Sequence, residues 1–367
     1  MITPTEIRKA YKGLKAIARK HLKCGDMEKS FHYVNHCSVV AQQFNLIYAD
    51  SELENIIGNI GKLIIPTIPT EYKTIEDRVV FIDDFCVTFV LGVQYIDALI
   101  AAGKKVLFLT CHPCDRKGNK TFFEYISRLP NVEIKKIKNG DLQKKITSLY
   151  DEITNYHPSK LFLHIAANSS ITPLLYRLPK QITKYIINLA DQTFWTGTNA
   201  IDYSLEFRPF GATVSLERRQ LKKEQLLMLP FYPVNDGNSF TGFPEDYEDK
   251  VVIFSGGDLY KTLYHDKKYW QLLKQLLDAH TNVVFLFATK ANPYGQGVIN
   301  RFIKDNHFEG RFIYLGFRSD IYETFRHCDI YMGTSPVSGS LMSQLAAINA
   351  KPILQYYYPL IGQRIIK

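Results

Sequence analysis

Three segments in the C-terminal half of the chain combine glycine or serine with polar or basic residues that are suited to holding phosphate. They are "FSGGDLYKT", with Ser255, Gly256, Gly257 and Lys261; "LGFRSD", with Gly316 and Arg318; and "GTSPVSGSL", with Ser338, Gly339 and Ser340. Glycine lets the backbone approach an anion, lysine supplies a point charge, and arginine is a planar phosphate partner. The third segment precedes an apolar helix, whose first N–H groups can hold an anion. A turn without a ligand explains each segment alone, but together they predict a nucleotide diphosphate site.

Three other residues are candidates for a general base. Asp84 lies in "IDDF", His164 lies at the end of the apolar segment "KLFLHIA", and Asp191 follows "YIINLA". A carboxylate or imidazole at the end of a strand can accept a proton from an acceptor hydroxyl. The structural alternatives are a helix cap for Asp84 and a core position for His164. Gln192 and Trp195, just after Asp191, are residue types that line sugar sites.

Neither a bound metal nor thiol chemistry is expected. Asp83 and Asp84 are neighbours on a predicted strand and point to opposite faces, so they are not expected to share a metal ion. The sequence "TCHPC" contains Cys111 and Cys114. A zinc site would need a second ligand pair, and a thiol–disulfide site would need a thioredoxin-like context. Neither is found nearby, and the scattered cysteines are typical of a reducing compartment.

The order of the elements predicts where the three glycine-containing segments lie. From residue 78 onward, apolar strand-like segments rich in β-branched and aromatic residues alternate with helical patterns, which indicates a parallel, doubly wound sheet. The alternation stops at "NDGNSFTGFPEDYED", residues 235–249, and begins again at "KVVIFSGG". We therefore predict two α/β domains joined by a linker, with ligands bound at the carboxyl ends of the strands and in the cleft between the domains.

Residues 5–64 have the pattern of helices only. The first helix, "IRKAYKGLKAIARKHLK", has apolar residues on one side and basic residues on the others. Contact with an anionic membrane and an ordinary solvated face are both consistent with this pattern. The predicted domains are a helical segment at 1–70, a first α/β domain at 76–234 and a second at 248–367, the last being short at its C-terminus.

Composition limits the location and the partners. The 367 residues are 46% hydrophobic, but no run reaches the roughly 18 apolar residues of a membrane span. The N-terminus lacks the apolar block of a secretory signal, so a cytoplasmic location is predicted. Peripheral contact with the inner face of the membrane is compatible with that location. The formal charge of +9 favours anionic partners. Aromatic residues lie within strand patterns, so nucleic acid is not expected.

Several segments resemble the protein O-GlcNAc transferase-like glycosyltransferases. The segment "LYRLPKQITKYIINLADQTFWTGTNAIDYSLEF", followed by "KEQLLMLPFYPVND", is similar to the join between the two domains of these enzymes. "IFSGGDLYKT" resembles their Leu-Tyr-Lys segment, whose lysine, here Lys261, holds the donor diphosphate. "CDIYMGTSPVSGSLMSQLAAINAKPIL" resembles their donor loop and helix. The likeness extends over most of the chain from about residue 78.

The resemblance implies a GT-B fold, with two facing Rossmann-like domains, and an N-terminal helical segment. It implies transfer of a hexosyl or N-acetylhexosaminyl group from a UDP- or GDP-linked sugar to a glycan or protein acceptor, in surface polysaccharide or glycoprotein synthesis. No bound metal or resident cofactor is implied. The alternatives are a non-catalytic GT-B partner subunit or nucleotide-sugar-binding module, and a nucleotide-sugar epimerase. The chain could form homo- or hetero-oligomers under any of these three functions.

The chain departs from the family pattern in two regions. Thr88 follows the first strand of the first domain where the family has a histidine and proline. In the donor loop, Leu341 and Met342 replace threonines, and Leu345 replaces the aspartate that binds the ribose. The sequence therefore leaves the nucleotide open.

Overall fold

The computed structural model describes residues 3–44, 46–84, 89–111, 120–138, 140–230, 232–233, 235, 237–263, 267–335, 337 and 339–356. The chain forms two compact units, Met1–Phe231 and Tyr232–Lys367, which we call the first and the second unit. Each unit contains one parallel β-sheet. No helix among the described residues is long and apolar enough to cross a membrane.

The first unit begins with the predicted helical segment, which forms α1 (Pro4–Lys23), α2 (Met27–Phe44) and α3 (Ser51–Ile64). Side-chain caps define two of the starts. The Thr3 hydroxyl accepts from the Glu6 N–H, and the Asp50 carboxylate accepts from the first-turn N–H groups of α3. Caps of this kind satisfy N–H groups that have no partner within the helix.

The sheet of the first unit has seven parallel strands in the order β3-β2-β1-β4-β5-β6-β7. They are β1 (Ile75–Asp83), β2 (Lys105–Thr110), β3 (Val132–Lys136), β4 (Pro158–His164), β5 (Thr183–Ile187), β6 (Tyr203–Glu206) and β7 (Leu226–Met228). The helices are α4 (Phe89–Ala101), α5 (Lys120–Ile126), α6 (Leu142–Tyr156), α7 (Thr172–Leu175) and α8 (Pro209–Glu217). The first five strands were predicted. The short strands β6 and β7 and helix α8 were not, because buried Ser204 and Glu206 interrupt the apolar pattern of β6.

The N-terminal helices share one hydrophobic core with this sheet. Buried Leu53, Ile57 and Ile60 of α3 lie in the same cluster as Val80 and Leu161 of the strands. The N–H of Gly197 and the hydroxyl of Tyr176 donate to the buried Glu54 carboxylate on α3. The helical segment is therefore an integral part of the first unit.

The second unit has five parallel strands in the order β10-β9-β8-β11-β12. They are β8 (Val251–Gly256), β9 (Val283–Ala288), β10 (Phe312–Gly316), β11 (Ile330–Met332) and β12 (Ile353–Leu354), with helices α9 (Lys268–Ala279), α10 (Pro293–Asp305), α11 (Ile321–Arg326) and α12 (Ser340–Ile348). These elements are the predicted ones. The order of strands in each sheet reverses at one point, β1/β4 in the first unit and β8/β11 in the second, where ligands bind in such folds.

The predicted linker at 235–249 packs onto the second unit. Tyr247 lies in its core, and the ring of Phe240 stacks on His327 at 3.8 Å between centroids. The N–H and hydroxyl of Thr241 donate to the Asp320 carboxylate. The second unit accordingly begins at Tyr232, before the predicted start at residue 248. The glycine, asparagine and proline of this segment predict a linker, but its aromatic residues pack against the second unit.

Two helical glycines provide a matched test of how the helices dock. A Cβ on Gly61 of α3 would overlap the Pro173 carbonyl oxygen of α7, whereas a Cβ on Gly13 of α1 would meet nothing. We expect Gly61→Ala to lower the free energy of unfolding by about 1–3 kcal/mol through overpacking. Gly13→Ala should raise it by about 0.5–1 kcal/mol, because alanine favours the helix.

Urea unfolding of the full chain measures both substitutions. Destabilisation by Gly13→Ala, or an unchanged stability in Gly61→Ala, would contradict the close packing of α3 on α7.

Candidate functional site

A cavity of about 340 Å³ lies in the second unit, at the carboxyl ends of β8, β9 and β10. It is lined by Gly257, Asp258, Lys261, Ala288, Thr289, Lys290, Gly316, Phe317, Arg318, Ile321 and Met342. The first two predicted segments therefore do meet at one edge of the sheet, and Met342 brings the first turn of α12 to the same cavity. This edge is where doubly wound folds bind their ligands.

Lys261 is the basic residue at the centre of this arrangement. Its Nζ lies 3.9 Å from the position that a Cβ would take on Gly257 and 3.8 Å from that on Gly339. The ammonium thus lies between the end of β8 and the start of α12. No carboxylate among the described residues forms an ion pair with it. Burial lowers the pKa of Lys261, and the charge of Asp258 opposes this shift. A bound anion would favour the charged form of Lys261.

The start of α12 adds backbone donors. Gly339 is its N-cap residue and provides no side-chain cap, and Ser340 is the first helical residue. No described side chain caps its first-turn N–H groups, which is the condition under which a helix start can hold phosphate. Ser338, the third predicted residue of this loop, lies outside the described residues.

The glycines after β8 have different surroundings. Gly257 has φ +134°, a conformation that favours glycine, and its N–H donates to the Ala288 carbonyl at 3.1 Å. Gly256, the last residue of β8, lies against Ala288 and Met342. Ser255 does not line the cavity, because its buried hydroxyl is hydrogen-bonded to Tyr269 at 3.0 Å. Its place is in the core below the cavity.

Arg318 lines the cavity, but its guanidinium is engaged within the protein. It donates to both carboxylate oxygens of Asp320, at 2.8 and 2.6 Å, and to the Gly242 carbonyl at 2.7 Å. It also lies over the rings of Phe240 and Phe243. Arg318 therefore fixes the entering 238–243 segment against α11, and this geometry leaves little of its donor capacity for phosphate.

Two further cavity residues escaped the sequence analysis. Thr289 is 4% exposed, and its hydroxyl has no hydrogen-bond partner among the described residues. A buried hydroxyl without a partner is costly, so a ligand that hydrogen-bonds to it would gain affinity. Phe317 is 73% exposed beside the cavity. Thr289 directly follows β9 and Phe317 directly follows β10, and a position at the carboxyl end of a strand is the signal that could have identified them.

The first unit gathers polar groups at its own switch point. Asp83 and His164 are paired residues of the adjacent strands β1 and β4, and the Nδ1 of His164 lies 2.8 Å from the Asp83 carboxylate. Both side chains are almost completely buried. A carboxylate at this nitrogen orients the ring and supports a proton on it.

Asp84 has separate partners. Lys145 Nζ lies 3.1 Å from its carboxylate and donates to Ser170 at 2.7 Å, and the Ser169 hydroxyl also donates to Asp84. Lys145 was not predicted, since it lies on the helix α6, far from the other residues in sequence. Asp84 is therefore part of an ion pair. The residues between Asp84 and α4, on which the alternative of a helix cap depends, lie outside the described residues.

Asp191 also lies in an ion pair. It is fully buried, and both its oxygens accept from the Arg208 guanidinium, at 2.5 and 2.8 Å. Both oxygens are thus occupied by donors of the protein, and the side chain has no exposed surface that a substrate could contact. Trp195 is 3% exposed and lies in the core, beneath the Arg219 guanidinium. The structure thus separates Asp191 and Trp195 from an open surface.

The described residues contain no cluster of three potential metal ligands. Cys111 is buried, and burial raises the pKa of its thiol. Cys114 of the "TCHPC" segment lies outside the described residues. The prediction that no metal is bound stays a prediction.

No protein-family model matches the chain, and no curated protein matches its sequence. Solved structures resemble it in fold. A mutant O-GlcNAc transferase of Thermobaculum terrenum is 14% identical, with a TM-score of 0.56 over 95% of this chain and 71% of its own. A glycosyltransferase of Rickettsia africae is 12% identical, with a TM-score of 0.55 over 78% and 79%. MnaA of S. aureus, in a structure with UDP, is 11% identical, with a TM-score of 0.54 over 76% and 78%.

These likenesses, together with the two sheets of seven and five parallel strands, define the chain as a GT-B fold with an N-terminal helical segment. The predicted fold class is confirmed, and so is the resemblance to the O-GlcNAc transferase-like group at the level of fold. Sequence identities this low establish the fold alone, and the chemistry depends on the side chains of this chain.

The Arg318–Asp320 pair generates a prediction about stability. Burial alone would raise the pKa of Asp320, but hydrogen bonds from Thr241 and Arg318 lower it below its ordinary value. The carboxylate therefore stabilises the fold above the ordinary aspartate pKa of about 3.9, and this contribution is lost as the pH falls through the lower, folded value. We expect Asp320→Asn to cost about 3–5 kcal/mol at pH 7, because it leaves Arg318 buried without its counter-ion.

Urea unfolding at pH 7 and in the acid range measures this effect. The matched control is Glu323→Gln on the same helix, where the partner Arg326 is exposed. The control should cost less than about 0.5 kcal/mol. Equal losses in the two variants would contradict the assigned role of Asp320.

Proposed function

We propose that the chain is a glycosyltransferase that transfers a sugar from a nucleoside diphosphate sugar to an acceptor hydroxyl. The observation that carries the proposal is the Lys261 ammonium, held between Gly257 and the uncapped start of α12 with no acidic ion-pair partner among the described residues. A half-buried cation beside free N–H donors is a site for a strongly anionic group. The fold supports the same conclusion, because the MnaA structure of that fold contains UDP.

In this proposal the second unit stabilises the leaving group. As the bond from the sugar's anomeric carbon to the diphosphate breaks, negative charge grows on the departing oxygen. Lys261 and the first N–H groups of α12 would stabilise that charge, and groups fixed in advance do so without reorganising. The positive charge that the reaction needs is thus available from the protein, which supports a metal-independent mechanism.

The cavity next to Lys261 fits the nucleoside. Thr289 offers a buried hydroxyl that lacks a partner, and Phe317 offers an exposed ring at the same edge. We propose that these two residues contact the sugar or base of a UDP- or GDP-linked donor. Arg318 would act indirectly in this proposal, by fixing the loop that carries Phe317.

Of the three candidate bases, His164 fits the reaction best. Asp191 and Asp84 are each neutralised by a cation, Arg208 and Lys145 respectively. His164 has instead a carboxylate at Nδ1, which would stabilise the imidazolium formed when the ring accepts a proton from the acceptor hydroxyl. We propose a glycan or protein acceptor and transfer of a hexosyl or N-acetylhexosaminyl group, in surface polysaccharide or glycoprotein synthesis.

A second candidate function is binding of a nucleotide sugar without turnover. It is favoured by one observation, the burial of the Asp83–His164 pair, in which each side chain is only 2–3% exposed. A general base must reach the proton that it accepts. Binding and turnover are therefore tested separately.

Binding is tested by thermal unfolding with UDP and GDP. A diphosphate present at a hundred times its Kd should stabilise the chain by about 2.7 kcal/mol. Lys261→Met keeps much of the side-chain volume and removes the charge, so we expect binding to weaken roughly tenfold or more, since charged hydrogen bonds are worth about 1.5–3 kcal/mol. Lys304→Met, at an exposed lysine of α10 that does not line the cavity, is the control. Unchanged affinity in Lys261→Met would refute the site.

Turnover is tested by the release of free sugar from UDP- and GDP-sugars. We expect His164→Gln to reduce this release at least tenfold and to leave nucleotide binding unchanged, because a general base contributes about 10²–10⁴-fold. Asp83→Asn should give a smaller loss, by removing the charge that supports the imidazolium. Binding without any release in the unmodified protein would favour the second candidate function.

A further inference from the structure

We propose that the outer face of α1 is a docking surface for an anionic lipid bilayer. This inference goes beyond the proposed function and does not depend on it. It rests on where one helix places its charges, and on which of them the protein leaves without counter-ions.

The charge of the chain is concentrated on α1. The helix contains seven lysines and arginines and one glutamate, whereas the whole chain has a formal net charge of +9. Most of that excess therefore belongs to 20 of the 367 residues. The electrostatic potential near α1 is therefore more positive than the net charge of the whole chain would suggest.

The basic side chains occupy one face along the whole helix. At 3.6 residues per turn, six of the seven fall within an arc of about 120°: Arg8, Lys9, Lys12, Arg19, Lys20 and Lys23. All six are exposed. Their positions extend from the second turn to the last, over roughly 22 Å of helix. Side chains arranged in this way can all touch one flat surface at the same time.

The protein provides counter-ions for two of the seven cations, Lys15 beside this face and Arg19 within it. Lys15 forms ion pairs with Asp50 and Glu52, at 2.7 and 2.9 Å, and Arg19 pairs with Glu52 at 2.9 Å. The other five cations, Arg8, Lys9, Lys12, Lys20 and Lys23, form no ion pair among the described residues. Glu6 is committed to the Thr3 cap at the helix start. The outer face is thus left positive.

The helix is held rigidly beneath these charges. Ile7, Tyr11 and Ala18 are buried against the other two N-terminal helices, and the capping box of Thr3 and Glu6 fixes the start. Binding would therefore not have to order the segment, which lowers its entropic cost. The face would add charge alone, since Ile17 at its edge is only 38% exposed.

These features favour a lipid surface over nucleic acid. Single-stranded nucleic acid is held by aromatic side chains that stack on bases, and the outer face of α1 has none. A bilayer with anionic head groups is a flat surface of negative charge, and each basic residue brought to it strengthens binding about fivefold. Binding by charge alone should weaken sharply with salt.

The test is sedimentation of the full chain with two kinds of vesicle. One is neutral phosphatidylcholine, and the other also contains roughly 30% phosphatidylglycerol, which gives its surface a negative potential like that of an anionic leaflet. We expect binding only to the anionic vesicles, and its loss at high salt. Replacement of Lys9, Lys12, Lys20 and Lys23 by Gln should weaken binding by roughly several hundredfold, about fivefold for each charge. Glutamine is a good helix former, so α1 should stay folded.

The matched control removes four exposed lysines elsewhere: Lys62, Lys180, Lys223 and Lys304, each replaced by Gln. It has the same net charge as the α1 variant and should keep vesicle binding within a few fold. The proposal is overturned if the unmodified chain does not bind anionic vesicles at low salt, or if the two variants lose binding equally. It is also overturned if single-stranded DNA binds more tightly than the vesicles and displaces the chain from them. A failed nucleotide assay would leave this result unaffected.

Discussion

A half-buried positive charge without an ion-pair partner among the described residues is the constraint on which the site in the second unit depends. Burial disfavours the charged form of Lys261, and the described residues provide no carboxylate to pair with it. The parallel sheet resolves this by bringing backbone N–H groups and glycine to the same edge, where an anion can complete the arrangement. The sheet and helix α12 position the lysine, and in the proposed function its unpaired charge would bind the diphosphate.

The other buried charges near the two switch points are paired, and the contrast is informative. Arg208 engages Asp191, Arg318 engages Asp320, and Lys145 engages Asp84. Breaking such a pair leaves a buried charge without compensation, so these pairs fix the loops that they join. Arg318 in particular fastens the segment after Tyr232 to α11, which supports the loop beside the cavity. Structural and functional charges can thus be told apart by whether the protein itself neutralises them.

The same criterion applies at the surface. On α1, Lys15 is paired with two acids and Arg19 with one, whereas the other five cations form no ion pair among the described residues. Exposed charges cost little when unpaired, so this distribution is not enforced by stability. The anionic bilayer surface proposed above would account for the concentration of positive charge on this helix.

The sequence by itself determined the fold class, because strand and helix patterns alternate with periods that only one kind of architecture satisfies. It located Lys261 and Gly257, since residues at the carboxyl ends of parallel strands converge whatever the details of packing. It did not reveal β6, β7 or α8. In β6 the buried Glu206 carboxylate accepts hydrogen bonds from Asn188, Ser204 and Ser215. Only the tertiary structure decided that Arg318 and Asp191 are committed to ion pairs, that Asp83 faces His164, and that Lys145 belongs to the same edge. Pairing depends on which side chains meet in space, and that information is absent from spacing along the chain.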